Sequence, residues 1–148
     1  DGFKAQIELA LEYDLPVVIH TRDAGDETLK ILEQYIQHNI RGIIHCFSEN
    51  AAFARDAQQL GFFLGIGGTI TYPKNQYLRD ICKETPLTSI VLETDAPFLP
   101  PQYMRGKQNS PAQIAYIAHF LANLKETSIQ DVAHQTTANA LQLFGIKN

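Results

Sequence analysis

Pro16-Val17-Val18-Ile19-His20 and, 25 residues further on, Gly42-Ile43-Ile44-His45-Cys46 carry the clearest structural signal in the chain. Each is a short apolar run, rich in β-branched residues, that reaches a histidine at or near its end. Each is followed by a longer stretch with helical periodicity. Phe62-Phe63-Leu64-Gly65-Ile66 and Ser89-Ile90-Val91-Leu92-Glu93 repeat the plan. Strands that are continuous apolar runs are buried on both faces. Alternating with helices, they predict a parallel sheet covered by helices.

Working outward, Phe3, Ile7, Ala10 and Leu11 share a helical face, and that helix must stop before Pro16. Leu29, Leu32 and Ile36 predict a helix over roughly 24–38. Ala54, Ala57 and Leu60 line another, closed by Gly61. A helix around 75–84 follows, and Ile114, Ile117, Leu121 and Leu124 share one face of the next. The last begins at Ser128, where Ser128-x-x-Asp131 forms a variant capping box. Residues 1–148 read as a single domain. The long irregular segment 96–110 is rich in Pro, Gly and polar residues. A loop of that length inside a domain points to function.

The polar residues at the strand ends keep a beat. His20 ends the first strand, His45 the second 25 residues later, and Asp95 the fourth after 50 more. The third strand ends near Gly67, close to the missing beat. In parallel βα architecture all strand C-termini open on one face, where active sites form. The spacing therefore predicts that His20, His45 and Asp95 converge. Two imidazoles and a carboxylate can hold a divalent metal with positions open for water and substrate. Glu93 has the strand parity of Asp95, which fits a supporting or a structural role equally. Cys46 has the opposite parity to His45 and is expected to face the helices. His38, His119 and His134 fall in helices and read as surface or packing residues.

Composition bounds the partners. The net charge is −4, with no basic stripe of the kind a simple nucleic-acid binder carries. Positive charge for a nucleic-acid substrate must come from metal and from local Arg and Lys. The two cysteines form no CxxC pair and no disulfide framework, which fits a reducing cytoplasm. No apolar run approaches the ~18 residues of a membrane span, and no secretory signal is visible. The chain starts at Asp1 without an initiator Met, as a fragment or processed chain would.

Three stretches resemble signatures of the TatD-like DNases. They are Ile19-His20-Thr21-Arg22-Asp23-Ala24, His45-Cys46-Phe47-Ser48 and Glu93-Thr94-Asp95-Ala96-Pro97-Phe98-Leu99. Arg105-Gly106-Lys107-x-Asn109-x-Pro111 and Thr136-Thr137-x-Asn139 look like that family's C-terminal motifs. The resemblance implies a TIM-barrel, (β/α)8 metal-dependent hydrolase of which this chain covers about the last four βα units. It implies deoxyribonuclease activity on DNA with one or two divalent ions (Mg²⁺, Mn²⁺ or Zn²⁺) per complete barrel. His20 and His45 would be metal ligands. Asp95 would be both a ligand and the catalytic proton acceptor. Arg22, Arg105 and Asn109 are the expected substrate contacts. The chain departs from the family at Glu49, where Gly is usual, and at Ser110, where Glu is frequent. The family's early His-x-His pair and its bridging Glu have no counterpart here, so the site reads as half of a metal centre. A missing N-terminal half-barrel or a homodimer partner would complete it. Two alternatives remain open from the residues alone. One is an amidohydrolase-like ester or amide hydrolase. The other is a non-catalytic half-barrel, inactive without its partner.

Overall fold

The four apolar runs form four strands in the computed structural model, which describes residues 1–147. They are Val17–His20 (β1), Gly42–His45 (β2), Phe62–Ile66 (β3) and Ile90–Leu92 (β4). The sheet is wholly parallel, in the order β1-β2-β3-β4. Helices Gly25–Leu32 (α2), Ala51–Gln59 (α3) and Gln76–Glu84 (α4) make the three crossovers. Gly2–Glu12 (α1) precedes the sheet, and Ile114–Leu124 (α5) and Ile129–Phe144 (α6) follow it.

The fold expectation holds in this sequential parallel sheet. The first crossover differs from expectation. Its α-helix ends at Leu32, and Glu33–His38 continues as a 3-10 helix that stops at Asn39, which has φ 57°. Asn tolerates that left-handed conformation, so the chain can turn there into β2. Ser128 caps α6 as expected, its hydroxyl accepting from the Asp131 N–H at 3.0 Å. Its own proton goes to the Asp131 carboxylate rather than back to the main chain.

One face of the sheet supplies Ile19, Ile44, Leu64, Ile66 and Ile90 to the main core, against Leu32, Ala57, Leu78, Ile117 and Leu121 from the helices. The other face carries Ile43 and Val91, on which Leu143 of α6 packs. Asn139 ties α6 to the start of β4. Its buried amide donates to Leu87 O at 2.8 Å and Ile90 O at 2.7 Å. A late Thr-Thr-x-Asn motif therefore serves the architecture here. At the β1 edge this second face is open, and Val18 is 57% exposed. Among the described residues no helix is long and apolar enough to cross a membrane.

Candidate metal centre

β1 and β2 pair in register, with His20 opposite His45. Adjacent parallel strands place such partners side by side on one face, so the two rings project together. Their centroids lie 6.2 Å apart at an interplanar angle of 49°. Beyond β4 the chain turns back toward them. Asp95, with φ 56°, sets its Oδ1 3.5 Å from His45 Nε2. The other ring nitrogen of His45, Nδ1, is hydrogen-bonded to Glu93 Oε2 at 2.8 Å. Glu93 Oε1 accepts the Cys46 backbone N–H at 2.6 Å. His20, His45 and Asp95 are thus gathered at the C-terminal ends of the strands, with Glu93 behind them.

Burial pushes the Glu93 carboxyl above its ordinary pKa, and nearby Asp95 adds to the rise. The His45 and Cys46 hydrogen bonds oppose it. Burial also raises the Cys46 thiol, to about 11, with the charges of Glu93 and Asp95 acting in the same direction. Cys46 is therefore a poor thiolate at neutral pH and no candidate nucleophile. Its φ of 47° takes it out of the β2 alternation, so strand parity does not govern its direction. The same holds for Asp95 relative to Glu93, because β4 ends at Leu92.

The donor set suits a divalent ion. It offers two imidazoles and a carboxylate, and one ring is oriented through Nδ1 by a second carboxylate so that Nε2 faces the ligand side. Among the described residues, no three His, Cys, Asp or Glu side chains converge tightly enough to hold an ion unaided. The residues fit a site that takes further ligands from elsewhere.

The remaining expected site residues separate. Arg22 lies two positions beyond His20, exposed and without an acceptor partner among the described residues. Arg105 is exposed on the long loop, and its guanidinium sits 4.7 Å from the centroid of the Tyr72 ring. Both guanidiniums keep free donors. Asn109 differs from the expected substrate contact. It is buried, and its amide donates to Thr94 O at 2.6 Å and Phe98 O at 2.7 Å. Its Oδ1 accepts from Ser110 N at 2.9 Å. A side chain with both protons spent inside the fold has little to offer a ligand. Asn109 instead braces the turn that carries Asp95.

Two features went unread in the sequence. Thr21 donates its hydroxyl to Glu49 Oε1 at 3.0 Å, joining the loops after β1 and β2. Glu49 is thus engaged in loop contact. The other feature is Gly65, where an added Cβ would come within 2.5 Å of Glu93 Oε2. A glycine inside a strand hints at close approach, but it does not say of what.

A parallel βα wall with its polar side chains gathered at the C-terminal strand ends defines the class, a chain of (β/α)8-barrel type. The chain belongs to the TatD related DNase family, whose profile matches residues 1–145. A Bacillus subtilis protein described as the uncharacterized metal-dependent hydrolase YabD is 40% identical over 144 residues, 97% of this chain and 56% of the relative. The 3'-5' ssDNA/RNA exonuclease TatD of Klebsiella pneumoniae is 33% identical over 150 residues, 98% of this chain and 57% of the relative. Among solved structures, that of the TatD homolog YjjV from Escherichia coli superposes with a TM-score of 0.90 at 35% identity. It covers 96% of this chain and 54% of that one. The chain spans about half the length of the curated relatives it matches.

Proposed function

We propose that His20, His45 and Asp95 are this chain's share of the metal centre of a TatD-type phosphodiesterase acting on DNA. The observation that carries the proposal is the grouping of His45 with Asp95 at 3.5 Å and with the His20 ring at 6.2 Å, at the mouth of the sheet. A divalent ion bound there would polarise the phosphodiester and make water acidic enough to attack near neutral pH. His20 and His45 supply neutral nitrogen donors. Asp95 supplies a carboxylate that both binds and accepts a proton from the attacking water. Arg22 and Arg105, with their unused donors, hold phosphate oxygens.

The test is hydrolysis of plasmid and single-stranded DNA by the full-length protein. Chelation with EDTA should abolish cleavage, and Mn²⁺, Mg²⁺ or Zn²⁺ should restore it. Cleavage that survives exhaustive chelation defeats the metal reading. Turnover of small esters with none on DNA favours the amidohydrolase-like alternative.

A second reading concerns residues 1–148 by themselves. No three ligand side chains among the described residues hold an ion unaided, and Val18 stands exposed at the β1 edge. An open, apolar strand edge seeks a partner. Purified residues 1–148 are therefore expected to cleave DNA barely above background and to elute as a dimer or larger species in size-exclusion chromatography. A monomer with brisk metal-dependent turnover would contradict this.

A further inference from the structure

Glu93 is the least exposed of the three linked side chains. Its relative exposure is 17%, against 26% for His45 and 34% for Asp95. It follows β4, yet both of its carboxylate oxygens are bonded to the end of β2. Strand β3 lies between. The side chain therefore crosses β3, and the place where it crosses is Gly65. Any Cβ there would sit 2.5 Å from Oε2 and 3.0 Å from Cδ. Real side chains never approach so closely, so the carboxylate occupies space that only glycine leaves.

We propose that Glu93 is a positioning residue that fixes the tautomer of His45, and that Gly65 is the gap that admits it. The Cys46 main-chain N–H can only donate, so the group facing it must be an oxygen. The second carboxylate oxygen is likewise an acceptor, so His45 Nδ1 carries the proton. Nε2 then holds a free lone pair on the side of Asp95. The metal consequence rests on the function proposed above, whereas the tautomer does not.

Glu93→Gln separates positioning from mere packing. The amide has the same shape, and the Cys46 N–H still demands its oxygen. The NH₂ group is left facing His45 Nδ1, which must become an acceptor. The ring proton moves to Nε2, where an N–H replaces the lone pair. Both hydrogen bonds survive, so a purely structural role predicts almost no change.

The experiment is long-range ¹H–¹⁵N NMR on histidine-labelled, metal-free full-length protein, with His45 assigned by its loss in His45→Ala. Wild type should show His45 protonated at Nδ1, and Glu93→Gln should show it at Nε2. Calorimetric Mn²⁺ or Zn²⁺ affinity should fall roughly 10- to 100-fold in Glu93→Gln, as for other outer partners of ligating histidines. The melting midpoint should barely move. In Gly65→Ala the carboxylate is displaced, and the tautomer preference should weaken without any change at Glu93 itself. Wild-type His45 protonated at Nε2, or a tautomer indifferent to Glu93→Gln, overturns the proposal. An inverted tautomer with unchanged metal affinity upholds it and removes His45 from the ligand set instead.

Discussion

Replacing His45 by Ala in the full-length protein is expected to cut DNA cleavage by about 100-fold or more, with the fold retained. Lewis-acid stabilisation is worth several kcal/mol, and about 3 kcal/mol corresponds to a factor of roughly 100 in rate. The imidazole lies at the end of β2, partly exposed, and its main-chain pairing with β1 does not depend on the ring. Deleting it leaves the Glu93 carboxylate still bonded to the Cys46 N–H, so the structural cost is modest. The loss should therefore appear in turnover and in metal affinity, with circular dichroism unchanged. Unaltered plasmid nicking under Mn²⁺ would remove His45 from the site.

Gly42→Ala is expected to be the most damaging small substitution in the wall, costing on the order of 3 kcal/mol or more. A Cβ at Gly42 would lie 2.0 Å from Val17 O and 2.9 Å from Phe62 Cε1. The nearest obstacle is main chain, and Val17 is the register partner of Gly42. Relief therefore requires β1 to move away from β2, which also draws His20 from His45. Gly61→Ala is the control. Its φ is 84°, but a Cβ there meets nothing within 4 Å, so only the left-handed strain of about 1–2 kcal/mol remains. Urea unfolding of the two variants gives the comparison. Equal midpoints would mean that β1 does not seat against β2 as described.

The sheet was legible because its strands are apolar runs at a fixed spacing. Val17–His20, Gly42–His45 and Phe62–Ile66 fall where periodicity puts them. That the strands run parallel followed from their alternation with helices. The placement of His20, His45 and Asp95 at one end of the sheet was legible for the same reason, since position along a parallel strand fixes which end a side chain occupies. What parity could not deliver lies past the strand ends. Cys46 and Asp95 both adopt positive φ, and one left-handed residue resets the direction of every side chain after it. The burial of Asn109 was not legible, because a polar residue in a polar loop gives no sign of it. Only the positions of Thr94 O and Phe98 O reveal that its amide is consumed internally. Glu93 was ambiguous because its partners, His45 and Cys46, are 48 and 47 positions away in sequence. No local pattern encodes such a pairing.

The in-register pairing of His20 with His45 has a consequence for divergence within the family. Neighbouring strands stand about 4.8 Å apart whatever their sequence. The spacing of this histidine pair is thus inherited from main-chain bonding and owes nothing to the loops above. Those loops carry Glu49, Ser110, Arg105 and the 69%-exposed Phe98. Substitutions there can reshape the rim while the histidine spacing stays constant. Selection can remodel the rim one residue at a time, and no intermediate along the way need disturb the spacing of the two histidines.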